Sequence, residues 1–476
     1  MPRAGTLPAV LAGVFITILD FFIVNVAVPT AQSDLHADPA AVQWVVAGYS
    51  LACGSTLIIG SRLGDMYGRR RVFLIGVGLF TLASAACGAA PDTSVLIAAR
   101  IVQGAAAGLL MPQVLAIVRT VHTGRDLARA VNAYALTMGS AAVFGQLIGG
   151  LLIQADVFGL GWRACFLINL PVGIAVLAVA GRVVPESRAS DAVRLDLGGA
   201  ALIGLALVAL LLPLTEGREQ GWPLWTWASF AGSLALGFAY RARRHRDSPL
   251  IDGALFRERG FTSGVFAYLA FTMGMAAYFL VLALYVQEGR GLDALEAGLV
   301  FVPIGAGYLA ASMLAPRLVA RLGRQVIAIG ALVRAAGLVL LCVMVAQEVS
   351  IGWLVPVLLI DGIGMGLALA PIMSTVLAGV SPRHAGAASG VLNTAQQTGG
   401  ALGVGVIGVL YYGAVSEGPS VAFRHGLLYL AGVALVLAGL AQLLPRAAAR
   451  AATPPPGSPA SPADPASRGA EVGPRT

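Results

Sequence analysis

The stretch GSRLGDMYGRRRVFLIG, residues Gly60–Gly76, decides how this chain is read. One apolar run ends at it and another begins at Val72, so the polar break between them is a tight hairpin at a membrane face. Arg62, Arg69, Arg70 and Arg71 sit in that break with one acid, Asp65. Arginines collect on the cytoplasmic side of a membrane, so the hairpin orients the chain. Asp65 lies among cations, where it can hold neighbouring helices through charge-assisted hydrogen bonds.

The composition agrees with a lipid solvent. The 476 residues are 58% hydrophobic and 11% charged, with a mean hydropathy of +0.83. Soluble domains carry about 25% charged residues, enough to cover a water-facing surface, and this chain falls far short of that. Its net charge is +8, and all 31 basic residues are arginines. They are scattered through short breaks between apolar runs, whereas a nucleic-acid binder gathers them on one soluble face. Cys53, Cys87, Cys165 and Cys342 lie in or beside apolar runs without metal-like spacing, and read as small packing residues. The first apolar run reaches Pro29 and contains Asp20, which makes it a first span and not a cleaved signal. No phosphate-cradling glycine loop ends in Lys, because the chain has no Lys, so the expected energy source is an ion gradient and no cofactor is called for.

A helix needs about 20 apolar residues to cross a bilayer. That ruler gives fourteen spans, the first near residues 7–29 and the last near residues 427–444. The breaks on the Arg62 side, with the membrane-proximal ends, hold 23 arginines, and the alternate breaks hold four: Arg163, Arg218, Arg290 and Arg424. This asymmetry supports the count and places both termini in the cytoplasm. Pro316–Arg324 matches Ser61–Arg69 at Arg317, Leu318, Gly323 and Arg324, with Ala320 where Asp65 stands. Gly362, Gly366, Arg383 and Gly403 each lie 258 residues after Gly104, Gly108, Arg125 and Gly145. The expected organisation is a six-helix half over residues 7–184, an inserted pair over 197–240, a second six-helix half over 261–445 and a disordered cytoplasmic tail over 446–476. Repeated halves with a midplane site between them are a common plan of secondary transporters.

Polar residues inside spans mark where chemistry can occur. Asp20 sits halfway along the first span, where a carboxylate costs about 2.5–3.5 kcal/mol on insertion scales. It must face a cavity or a partner, and can take up and release a proton; alternatively it bonds neighbouring helices. Arg100, Gly104 and Gly108 form one stripe of the fourth span, with Gln103 nearby. Arg100 either tunes a carboxylate or snorkels to the surface. Gly145, Gly149 and Gly150 make the fifth span a close-packing, pliable helix. Asp361 is a second mid-span acid, while Asn393, Gln396 and Gln397 can line a path. All five histidines fall in breaks, which leaves no histidine relay. The path should be apolar with a few acids and amides.

These stretches together resemble the fourteen-span drug:proton antiporters of the major facilitator superfamily, over residues 8–445. The segment LDFFIVNVAVP is similar to that family's first-span signature, which carries an aspartate onto Asp20 and an asparagine onto Asn25, with Phe22 in place of its Thr. The opening hairpin matches the superfamily loop at Asp65, Gly68, Arg69 and Arg70, and RIVQGAAAG matches its fourth-span motif at Arg100, Gln103 and Gly104. Trp162, Arg163, Phe166, Asn169, Pro171 and Gly173 match the marker before span six. In the fifth-span antiporter motif, Gln146 stands where the family has a proline, which would bend the helix and remove a donor.

The resemblance implies an all-α polytopic membrane protein with the major facilitator fold and fourteen transmembrane helices; a monomer in the cell membrane is the expectation. It implies export of small amphipathic compounds in exchange for protons by alternating access. Asp20 is then the proton carrier, Arg100 its tuning partner, and Asp65 with Arg69 and Arg70 a gate latch. Gln146 motivates the alternative, a proton-independent facilitator or uptake transporter. A membrane receptor would need a folded cytosolic domain that the tail does not offer. The orientation is checked by labelling: Arg71→Cys should react with an impermeant thiol reagent in inside-out vesicles alone, and Arg290→Cys in right-side-out vesicles alone.

Overall fold

In the computed structural model, residues 5–188, 197–218, 220–243, 258–378 and 385–444 are described, and almost all of them are helical. The expected tail lies outside the described residues. The first set of helices comprises α1 (Thr6–Leu35), α2 (Pro39–Tyr67), α3 (Arg69–Gly88), α4 (Thr93–Val121), α5 (Gly124–Ala155), the short α6 (Ala164–Leu167) and α7 (Asn169–Val183). Next come α8 (Leu197–Glu216) and α9 (Leu224–Arg243). The last set is α10 (Arg259–Leu284), α11 (Ala294–Leu322), α12 (Gln325–Ala346), α13 (Ile351–Ala378), α14 (Ala385–Ala414) and α15 (Pro419–Ala441). Among the described residues ten helices are long and apolar enough to span a bilayer, and twelve if the bent α2 and α5 each count as one span. A multi-pass membrane protein follows, since a helix satisfies its own backbone in lipid.

Element ends depart from the expected spans in two instructive places. The break at Ser61–Arg71 is almost entirely helical: α2 runs to Tyr67, α3 starts at Arg69, and Gly68 alone lies outside a helix. Gly68 has φ 113°, and a Cβ there would stand 2.6 Å from the Glu186 carboxyl group, so only glycine fits. The final helix starts at Pro419, well before the expected residue 427. Proline at a first helical turn loses no hydrogen bond, which lets the polar residues before the apolar run join the helix.

Small residues set the packing. A Cβ on Gly104 of α4 would strike the backbone of Tyr49 in α2, and one on Gly108 that of Cys53. Gly362 and Gly366 of α13 meet Ile304 and Tyr308 of α11 in the same manner. Gly76 of α3 crosses Ala106 as Gly330 of α12 crosses Gly364, and Gly145 of α5 meets Leu19 as Gly403 of α14 meets Met273. The helix crossings of the first set therefore recur in the last set. Without a hydrophobic drive between helices in lipid, such close contact is what holds them. α8 lies against α9, α2 and α14.

The two sets touch along α2 with α14 and α5 with α11, and hydrogen bonds between them gather at the face opposite Gly68. There Gln287 donates to the Val26 carbonyl at 3.2 Å and Gln154 donates to Asp293 at 3.3 Å. Gly150 rests on the backbone of Ala294, and Gly408 against the side chain of Gln43. The end of α8 bridges the same face, where Trp44 donates to Glu216 at 3.0 Å and Arg218 donates to the carbonyl of Tyr412. Overpacking a tight crossing costs about 1–3 kcal/mol. Gly104→Ala should therefore lower the thermal unfolding midpoint of the purified protein, whereas Gly432→Ala, which meets nothing within 4 Å, should leave it unchanged or raise it.

Candidate functional site

Asp20 sits on α1 with no exposed surface, as do Arg100 and Gln103 on α4. Arg100 Nη1 donates to Asp20 Oδ2 at 2.5 Å. The other carboxylate oxygen accepts from Gln103 Nε2 and from Asn169 Nδ2, each at 2.8 Å. Arg100 also donates to the Gln103 amide oxygen at 2.6 Å and, through Nε, to the Val45 carbonyl at 3.0 Å. Ser84 Oγ accepts from Gln103 at 2.6 Å and from Asn169 at 3.2 Å. One ion pair thus joins α1, α2, α3, α4 and α7. The snorkelling alternative for Arg100 is overturned, because the guanidinium points inward to a buried partner.

Tyr49 connects this cluster to a cavity. The Arg100 guanidinium lies 4.3 Å from the centre of the Tyr49 ring, a cation–π distance. The Tyr49 hydroxyl donates to the Thr17 carbonyl at 3.2 Å. Tyr49 also lines a cavity between the two sets of helices, with Phe21, Phe22, Met275, Gln396 and Gln397. No acid is among the described residues lining it, contrary to expectation. Phe21 faces the cavity, while Asp20, the residue before it, turns toward α4 and α7.

The other expected residues are distributed as follows. Gln397 lines the cavity, while Asn393, on the same helix, is half-buried outside its lining. Asn25 donates to the Phe22 carbonyl at 3.1 Å in its own helix and is not part of the Asp20 cluster. Gln146 is buried at the crossing with α11, next to Gly298, and neither amide atom has a hydrogen-bond partner among the described residues. Gly149 and Gly150 pack α5 onto Ile23 and Ala294. Asp361 is buried in α13, outside the Asp20 cluster, beside Arg334 of α12.

At the opening hairpin, Asp65 pairs with Arg69 at 2.9 Å. Glu186 accepts from the backbone N–H groups of Arg70 at 3.0 Å and Arg71 at 3.2 Å, at the positive end of α3. Arg69 N–H donates to the Ser187 carbonyl at 2.9 Å, and Arg70 reaches the Val184 carbonyl at 3.3 Å. The hairpin is thereby pinned to the chain that leaves α7. On the opposite face Arg163 pairs with Asp34 at 2.7 Å, and Trp162 donates to the same carboxylate at 2.9 Å.

The sequence reading missed Ser84, Tyr49 and Glu186, and took Asn169 only as part of a marker. Asn169 alone carried a usable signal, as an amide inside an apolar run.

A bundle of membrane-length helices around a central cavity, with a buried acid–arginine cluster behind its wall, defines a membrane transporter. The sequence profile of the Major Facilitator Superfamily matches residues 10–404, and the chain belongs to that superfamily. It is 34% identical to the probable actinorhodin transporter of Streptomyces coelicolor, covering 89% of this chain and 75% of that one. It is 38% identical to the puromycin resistance protein pur8 of Streptomyces alboniger, over 86% and 82% of the two chains. The cephamycin export protein CmcT of Amycolatopsis lactamdurans is 35% identical, over 93% and 92%. A POT family transporter solved with 5-aminolevulinic acid shares the fold, with a TM-score of 0.69 at 16% identity over 93% of this chain and 98% of that one.

Hydrogen bonds to charged groups are worth about 1.5–3 kcal/mol. Asn169→Leu removes one from Asp20 and should lower thermal stability by that order, measured on the purified protein, while Asn25→Leu should cost less.

Proposed function

We propose that this chain exports small amphipathic organic molecules of the antibiotic kind and imports protons in exchange, by alternating access. The observation that carries the reading is the Asp20–Arg100 pair, buried directly behind Tyr49, which walls the cavity. When Asp20 takes a proton, Arg100 loses its counter-charge, and its contact with Tyr49 passes that change to the cavity. The names of the relatives, among them a puromycin resistance protein and a cephamycin exporter, support export as the direction. Gln397 contributes polar contacts in the cavity. Asp65, Arg69 and Arg70 form the latch of the hairpin face, and the crossings at Gly104, Gly145, Gly149 and Gly150 let the helices rock.

In the same reading the chain has fourteen spans. Two six-helix halves, residues 7–184 and 261–445, are separated by the inserted pair over 197–240. Both termini are cytoplasmic, the protein works as a monomer in the cell membrane, it is not an enzyme, and a proton gradient takes the place of a cofactor. A second reading, transport without protons, is favoured by Gln146, whose amide is buried unpaired where a proline would bend α5.

Puromycin movement in proteoliposomes under an imposed pH gradient separates the two. We expect gradient-driven transport that Asp20→Asn reduces by about tenfold or more, a loss of ~1.4 kcal/mol or more of coupling. Transport indifferent to both the gradient and Asp20→Asn supports the second reading.

A further inference from the structure

Asp361 and Arg334 form a second buried ion pair, apart from the Asp20 cluster. Their side chains are 1% and 4% exposed. Arg334 Nε stands 3.4 Å from Asp361 Oδ1, too long for a strong charge-assisted hydrogen bond. Neither carboxylate oxygen has a hydrogen-bond partner among the described residues, and neither does the hydroxyl of Tyr278. The guanidinium lies 5.7 Å from the centre of the Phe271 ring and 5.8 Å from that of Tyr278, and it donates to the Gly274 carbonyl at 3.3 Å.

A fastener would be built differently. Burying two charges costs several kcal/mol per ion, which only close geometry and further hydrogen bonds offset. Asp20 has both, and Asp361 has neither. The helices concerned, α12 and α13, are already in close contact where Gly330 crosses Gly364. Stability does not account for the pair, and an ionisable group held inside a membrane protein at such cost marks a functional site.

Its place in the fold gives the function. Gly362 packs as Gly104 does, which puts Asp361 in α13 where Gln103 stands in α4. Gly403 meets Met273 as Gly145 meets Leu19, which puts Gly274 where Asp20 stands. α10 turns Thr272, Met275 and Ala276 to the cavity and Gly274 and Tyr278 to Arg334. α1 likewise turns Thr17, Ile18 and Phe21 to the cavity and Asp20 away from it. Each set of helices thus buries one acid–arginine pair behind the helix that walls the cavity.

We propose that Asp361 is a second proton-binding carboxylate, so that two protons enter for each molecule exported. A proton adds to a carboxylate oxygen and the ion pair is lost. Arg334 keeps its charge and stays held by the Gly274 carbonyl and the two rings. Release of the proton on the other side restores the pair. The direction of this flow rests on the proton-exchange reading above, but the binding of the proton does not.

Infrared difference spectra of the full chain in lipid vesicles, recorded from alkaline to acidic medium, test the binding without any substrate. Subtracting the Asp361→Asn spectrum from the wild type should leave one carboxylic-acid C=O band that grows on acidification. Proton uptake should fall by one equivalent in that variant. A flat double difference with unchanged uptake overturns the proposal and makes the pair a structural one. If Asp361→Asn does not fold, Asp361→Asn/Arg334→Gln removes both charges together and is read the same way. A band that appears while puromycin is not transported leaves the second acid standing and removes the export reading instead.

Discussion

A charge inside a bilayer needs a counter-charge placed for it, and the contact between Asp20 and Arg100 meets that demand. The neutralised pair still carries donors and acceptors that water would otherwise satisfy. Gln103, Asn169, Ser84 and the Val45 carbonyl take those roles. Because these groups come from five helices, the pair can be satisfied only when α1, α2, α3, α4 and α7 all stand in register. The first set of helices is in that sense folded around its own electrostatics.

Glycine crossings make the register attainable. Arg100 reaches the Val45 carbonyl because Gly104, one turn along α4, lets α2 come close at Tyr49. A bulkier residue there would hold the two helices apart by about the width of a methyl group and stretch a buried charge-assisted hydrogen bond. The same crossing in α11 and α13 shows that close approach is a property of the fold, whereas the charges placed behind it differ. In α4 the guanidinium and amide share one turn; in the last set the acid is on α13 and the guanidinium on α12.

Much of this was legible in the sequence. Asp20 and Arg100 stand out because a charge in a long apolar run has no solvent to reach. The helix positions followed from run length, and the recurrence of glycines at a fixed offset foreshadowed the matched crossings. Other features were hidden for physical reasons. Ser84 is of a type that often bonds to its own helix, Tyr49 reads as an ordinary core aromatic, and only helix rotation decides which way they face. Asn25 belongs to the same first-span signature as Asp20, yet it turns onto the Phe22 carbonyl. The hairpin looked like a loop because its polarity hid the fact that both helices extend beyond the apolar core, up to Gly68. Glu186 was invisible as its partner because the two are joined only through the return of α7 to the same face.

The contacts that close the face opposite Gly68 have a character of their own. The hydrogen bonds there come chiefly from neutral side chains, from Gln287 to Val26, Gln154 to Asp293 and Trp44 to Glu216. The bond to the Val26 carbonyl contributes about 0.5–1.5 kcal/mol net and those to the Asp293 and Glu216 carboxylates about 1.5–3 kcal/mol, and at an exposed rim water replaces each of them once it is broken. The buried ion pairs sit deeper, where water cannot take over. The molecule is therefore stiff at its middle and lightly buttoned at one rim, so thermal motion can undo the rim while the interior of each helix set stays intact.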